Sequence, residues 1–266
     1  MRADFHARVI SRLGRYLQKM LRSAGLDVYR RRQDYHYVPD YFGKTAYKQV
    51  DIRGLQPFGD HASAAIRGGR TLLHYDRLYT IFQALSHALN RLPSGAAINL
   101  AEVGVYRGGT SRFMLEVART LADRPARLHC FDTFQGHDER DVVDGRDLPA
   151  VQAPGSFSNT AADAVAECLA GAGEVEIAVG RFQDTCHRYA DRQFCFAHLD
   201  VDLYEPTKAA LEFFAGRMIP GGTIVVDDCG IQTCPGVMLA VDEFVAAKPW
   251  VFKIHLLSGQ CLLHFP

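Results

Sequence analysis

No run in the 266-residue chain approaches the ~20 consecutive apolar residues that a membrane-spanning helix needs. The amino terminus also lacks an apolar signal core, because charges interrupt MRADFHARVISRLGRYL every few residues. A cytoplasmic protein without a membrane span is therefore expected. Net charge is missing as well: 30 Lys and Arg balance 30 Asp and Glu. That removes the positive surplus on which nonspecific nucleic-acid binding depends. The cysteines, Cys130, Cys168, Cys186, Cys195, Cys229, Cys234 and Cys261, include no CxxC pair and no Cys/His set at zinc spacing. They read as buried, reduced thiols. Internal repeats and low-complexity tracts are absent, and 48% hydrophobic with 23% charged residues excludes disorder, collagen and coiled coil.

What is present divides unevenly. Residues 1–60 are basic and Tyr-rich with little strand character, whereas residues 97–266 alternate strand and helix patterns, so the catalytic domain is expected over 61–266. Within 4–24, Phe5, Val9, Leu13, Leu17 and Met20 share one helical face, and Arg8, Arg12, Arg15, Lys19 and Arg22 share the other. Such a helix packs on its own domain or on a second subunit, and a homo-oligomer is expected. Residues 29–51 read as a loop or lid, and helical spacing resumes over 72–92.

Strands follow over 97–105, 127–134, 174–182, 194–202 and 223–228, with helices over 110–121, 160–170, 206–217 and 235–247 between and after them. Each parallel neighbour requires a crossover, so the alternation predicts an α/β, Rossmann-like, doubly wound and mostly parallel sheet. Two closing strands, 250–257 and 260–265, are separated only by Ser258 and Gly259 and add an antiparallel hairpin.

The first strand runs into EVGVYRGGTS, which places Gly104, Gly108 and Gly109 between a strand and a helix, where a ligand can approach the backbone closely. The second strand ends at Asp132, a position from which a carboxylate can hold the hydroxyls of an adenosine ribose. The loop lacks the GxGxxG spacing of a dinucleotide site, and Glu102 would repel a pyrophosphate but could hold the ammonium of an amino-acid-bearing nucleoside. Charge therefore favours S-adenosylmethionine over NAD.

Four more acids converge on the same crevice: Asp200 and Asp202 end the fourth strand, Asp227 and Asp228 the fifth. Helix capping could use two of them. Four crowded carboxylates call for a counter-cation, and all-oxygen ligands suit Mg2+. A bound divalent cation lowers the pKa of an acceptor hydroxyl and fixes its position for an in-line methyl transfer.

The blocks LAEVGVYRGGTS, HCFDTFQG, VGRFQDT, FAHLDVDLYEPT and GGTIVVDDCG, in this order over roughly 70–245, resemble the macrocin O-methyltransferase family of Mg2+-dependent sugar methyltransferases. The resemblance implies a methyltransferase domain that methylates a sugar hydroxyl of a small-molecule glycoside or glycan. It places the S-adenosylmethionine contacts at Glu102, Gly104, Tyr106, Gly108, Thr110, Ser111, Asp132, Thr133 and Phe134, and further at Gly180, Arg181, Phe182, Asp184 and Asp200. It places the metal ligands at Asp200, Asp227 and Asp228, with Asp200 also taking the hydroxyl proton. Residues 1–60 have no counterpart in that pattern. Acceptor choice falls to the loop over 135–158, whose His137 reads as a solvated surface residue, while His198 reads as a satisfied core histidine. The loop's Asp, Arg and Gln suit hydroxyl-rich acceptors better than a catechol-like phenol, and a non-catalytic S-adenosylmethionine-binding module sits poorly with a complete acid cluster.

Overall fold

The computed structural model describes Met20 and residues 52–266, and the latter form one compact unit. Apart from Met20, which is helical, the expected basic helix over 4–24 and the lid over 29–51 lie outside the described residues. The unit contains helices α1 (Phe58–Arg67) and α2 (Tyr75–Arg91), then strand β1 (Ile98–Val103), helix α3 (Gly109–Leu121), strand β2 (Ala126–Asp132), helix α4 (Ala162–Leu169) and strand β3 (Glu174–Val179). A short helix α5 (Phe182–Thr185) and a 3-10 turn precede β4 (Phe194–Leu199), which is followed by α6 (Tyr204–Ala215), β5 (Met218–Val226), α7 (Pro235–Ala247), β6 (Phe252–His255) and β7 (Cys261–His264). No described helix is long and apolar enough to cross a membrane.

The seven strands lie in the order β3-β2-β1-β4-β5-β7-β6. The first five are parallel, and β7 runs antiparallel to both β5 and β6. The expected doubly wound sheet and closing hairpin are therefore present. Every residue of β4 is buried, His198 included, as expected of a central strand covered on both faces. Alternation along β1 sends Ile98 and Leu100 into the core layer shared with α1, α2 and α3, and Ala101 and Val103 into the opposite layer with α6 and α7. All seven cysteines are free, five of them buried and Cys168 and Cys186 half-buried.

Several boundaries depart from the expected pattern, among them the start of β5 at Met218 instead of 223. The third strand stops at Val179 because Gly180 turns the chain at φ 131°, and Phe182 begins a helix instead of ending a strand. Helix α2 begins at Tyr75, not at 72, leaving Arg70 to His74 non-helical. Helix α1 crosses the expected domain boundary at residue 60; its Phe58, Ala62, Ala65 and Ile66 fall at i, i+4, i+7 and i+8 and pack on the core. One large side chain anchors that face: the Phe58 ring sits 4.9 Å from Tyr79, 5.5 Å from Phe82 and 6.3 Å from Phe113.

Phe58→Ala should therefore lower stability to urea by about 3–5 kcal/mol, the usual result of emptying a buried aromatic site. A loss under about 1 kcal/mol would show that α1 is an appendage to the sheet.

Candidate active site

Beyond the carboxyl ends of the parallel strands, where the order reverses between β1 and β4, a cleft of about 1140 Å³ opens to solvent. Ladder bonds continue one residue past the strands and fix its floor: the Asp200 N–H donates to Val103 O at 2.8 Å, and that of Asp227 to Leu199 O at 2.8 Å. Glycine is required at the first turn, since a Cβ on Gly104 (φ 85°) would lie 1.8 Å from the Asp200 carbonyl oxygen. At the start of α3, a Cβ on Gly109 would strike the Thr71 backbone nitrogen at 2.4 Å, so the non-helical Arg70 to Leu73 stretch lies directly on the glycine loop. Thr71 and Thr110 hydroxyls meet at 2.8 Å.

Four of the five described non-glycine residues with positive φ line this cleft: Tyr106, Phe157, Asp202 and Asp228, at 52°, 67°, 61° and 56°. Left-handed backbone at residues with side chains is strained and is retained here only around the cleft and, at Phe134, beside it.

The acids form an ordered row. Strand register pairs Glu102 with His198, and β5 brings Asp227 to the other side of the ring. His198 donates from Nδ1 to Glu102 Oε1 and from Nε2 to Asp227 Oδ2, both at 3.0 Å, with all three side chains buried. Burial opposes a charge on the ring, but the hydrogen bonds and charges of Asp227 and Glu102 outweigh it and raise its pKa to about 10. His198 is thus an imidazolium bound between two carboxylates. Arg77 supplies the second cation, reaching Asp228 Oδ1 at 2.9 Å and Asp227 Oδ1 at 3.4 Å.

Even so, the negative charge is incompletely balanced. Burial, then Asp227, Asp202 and Asp228, holds the Asp200 carboxyl well above its ordinary range against the pull of His198. Burial and the hydrogen bond with Asp202 push Asp228 up to about 7. Burial works against charge on Asp202 too, yet the hydrogen bonds with His137 and Asp228 keep it below its ordinary value. Asp227 Oδ1 is buried without any hydrogen bond. An orphaned carboxylate oxygen beside crowded, hard oxygen donors fits a divalent cation.

The expected contacts divide on inspection. Glu102, Gly104, Tyr106, Thr110, Asp132, Thr133, Gly180, Arg181, Phe182 and Asp200 all line the cleft. Ser111 does not: it is fully buried behind Glu102 and donates to that carboxylate. Gly108 (φ 78°) faces Val165 of α4, Phe134 packs into the core, and Asp184 is more than half exposed beside Arg181. Asp132 accepts three backbone N–H groups, from Val105, Tyr106 and Phe134, at 2.7–2.8 Å, and so shapes the glycine loop itself. A ribose would reach only its remaining lone pairs. The three expected metal ligands do not form one set. Donor atoms of His198, Asp200 and Asp227 lie within 4.8 Å of one another, whereas Asp228 groups with Asp202 and Cys234. Arg77, for which the sequence carried no signal, bridges the two groups.

His137 is not the solvated residue expected. Its side chain is nine-tenths buried, with Nε2 3.3 Å from Asp202 Oδ2 and its ring on Phe157. The loop's polar residues are largely internal fasteners. Arg181 forks onto Asp141 at 3.0 and 2.5 Å, Asp147 accepts the Val143 and Tyr204 N–H groups, and Gln152 donates to the Asp202 carbonyl. Tyr106 and Phe157 form an aromatic wall, their rings 5.9 Å apart.

A family model described as Macrocin-O-methyltransferase (TylF) matches residues 65–255. Over 153 residues the chain is 32% identical to 8-demethyl-8-(2,3-dimethoxy-alpha-L-rhamnosyl)-tetracenomycin-C 4'-O-methyltransferase of Streptomyces olivaceus, covering 54% of this chain and 57% of that protein. Over 183 residues it is 27% identical to demethyldecarbamoylnovobiocin O-methyltransferase of Streptomyces niveus, covering 66% and 68%. The solved structure of the O-methyltransferase NovP superposes with a TM-score of 0.65 at 25% identity, over 74% of this chain and 82% of that one.

Replacing the central imidazolium tests the charge arrangement. His198→Leu should lower stability by about 3–5 kcal/mol in urea unfolding, because Glu102 and Asp227 then stay buried without their partner; His198→Gln, which keeps a hydrogen-bonding side chain, should lose less. The folded pKa of about 10 lies above the ordinary 6.5, so this contribution is complete below pH 6.5 and is lost as pH rises through about 10. Across that window the wild-type Tm should fall more steeply than that of His198→Gln.

Proposed function

The chain belongs to the macrocin O-methyltransferase family, and from that membership we propose that it transfers a methyl group from S-adenosylmethionine to a sugar hydroxyl of a glycosylated natural product or glycan. The single observation that carries the reading is the acid row: Asp200 and Asp228 line a cleft that the glycine loop closes from the other side, and Asp227 lies buried beside them. Asp227 and Asp228, which Arg77 bridges across the two groups, would hold the divalent cation with Asp200, Mg2+ by donor chemistry. When bound, that ion acidifies and positions the acceptor hydroxyl.

The chain's own residues supply the rest. Glu102, with Gly104, Tyr106, Thr110 and Thr133, forms the donor side, and Gly180, Arg181 and Phe182 close the far end, where the adenosine would lie. Glu102 is held by His198 and lines the cleft, where it can attract the donor's ammonium. Phe131 and Phe182, whose rings meet at 5.0 Å, limit water on that side. Asp200 would take the hydroxyl proton, and burial among like charges raises its proton affinity. In the transfer the acceptor oxygen forms a bond to the methyl carbon as the carbon–sulfur bond breaks. The proton passes to Asp200, and the products are a methyl ether and S-adenosylhomocysteine.

The two Streptomyces relatives are named for glycosylated aromatic acceptors. A flat aglycone against the Tyr106–Phe157 wall with its sugar toward Asp200 fits this cleft. The same wall favours, as a second reading, a catechol-like phenol as acceptor, since the loop's Asp and Gln side chains are mostly turned inward.

Both readings meet one test. Incubation with S-adenosylmethionine and a panel holding the acceptors of the two relatives, a simple rhamnoside and a catechol should give a methylated product by mass spectrometry. Chelation of divalent cations should abolish it. Asp200→Asn should lower turnover by about 10²–10⁴ while calorimetric binding of S-adenosylhomocysteine persists. Binding of NAD but not of S-adenosylhomocysteine would overturn the proposal.

A further inference from the structure

Arg77 holds an unusual position. It stands on the first turn of α2, its side chain only 20% exposed, and its guanidinium spans the two Oδ1 atoms at the end of β5, Asp228 at 2.9 Å and Asp227 at 3.4 Å. Asp200 attracts it as well. Asp227 Oδ2 already accepts from His198, which leaves Oδ1, without any hydrogen bond, as the less engaged oxygen. The arm is anchored away from the acids: Nε donates to the Ser258 carbonyl at 3.2 Å, in the turn between β6 and β7. The fork is planar and rigid, so it leaves the acids only as a unit, by rotation about the side-chain bonds that precede Nε.

We propose that Arg77 is the resident counter-cation of the acid row, and that the divalent cation binds by exchange with it, the guanidinium leaving Asp227 Oδ1 and Asp228 Oδ1 as the ion takes them. The inference rests on the metal reading given above. Its physical basis is that a guanidinium keeps its proton at any pH a protein survives, so the crowded carboxylates always have a partner. A monovalent, planar group satisfies them only in part, as the orphaned Asp227 Oδ1 shows. A doubly charged ion at the same two oxygens would be repelled by a guanidinium left in place. Arg77 is therefore a positioning residue that stabilises the metal-free site and weakens cation binding by competition.

Titration of the full-length protein with Mn2+, followed by calorimetry and by the paramagnetic resonance of the free ion, tests this without any acceptor. Arg77→Gln should bind Mn2+ about tenfold more tightly than wild type, within the usual range of such couplings, and its metal-free Tm should be lower. Arg77→Lys, which retains a charge, should stay near wild type. Addition of guanidinium chloride at millimolar concentration to Arg77→Ala should return the affinity toward the wild-type value, a response that a purely structural role would not produce. Equal or weaker binding by Arg77→Gln overturns the exchange but leaves the metal reading intact. Failure of wild type and variants alike to bind Mn2+ or Mg2+ overturns both. Should the variants not fold, a Mn2+-soaked crystal of the wild type decides: Arg77 displaced from both Oδ1 atoms supports the exchange, and Arg77 still 2.9 Å from Asp228 with the ion bound refutes it.

Discussion

Like charge held close under low dielectric is the constraint around which this molecule is arranged. Glu102, Asp200, Asp227 and Asp228 gather at the ends of three adjacent parallel strands, and a sheet cannot bury such a row without bringing cations to it. His198 does so from inside, between Glu102 and Asp227, and Arg77 from the cleft side. Both depend on elements remote in sequence. The first depends on the β1–β4 register, the second on α2 docking over the sheet through Leu78, Ile81 and Leu85. The core packing and the chemistry therefore share residues, and a disturbance of α2 reaches the carboxylates directly.

The sheet was legible because its strands are short apolar runs bounded by glycine and aspartate, and the crossovers between them admit one topology. Boundaries were least legible where a single residue decides them, as at Gly180, or where a short helix builds its apolar face largely from alanine, as in α1. In the site, the types and strand positions of the acids could be read, since strand ends gather at one edge of a parallel sheet. What each carboxylate touches could not. Asp132 serves backbone amides, Glu102 serves Ser111 and His198, and Asp228 hydrogen-bonds with Asp202. Those partners are set by rotamers and long-range register, to which local spacing is blind. Arg77, 150 residues from Asp227 along the chain, left no trace in the pattern.

The loop over 133–160 gives a related lesson about composition. Its density of Asp, Arg and Gln reads as a hydroxyl-binding surface, yet Asp141, Asp147 and Gln152 are almost wholly buried and bond to the protein itself. Buried polar groups need partners before they can be offered to anything else. His137, Asp138 and the Arg181-bound Asp141 line the cleft, and they share it with Phe157.

The fasteners of that loop bear on how acceptor choice can diversify. Arg181 at the β3 end, the Tyr204 amide at the head of α6 and the Asp202 carbonyl beyond β4 are three fixed sockets, and Asp141, Asp147 and Gln152 are the matching plugs. Residues between the plugs are free to vary without loosening the frame, whereas a transplanted segment lacking them would leave each socket unfilled. Such a segment can be engineered as an interchangeable cassette on one chassis of strands and acids.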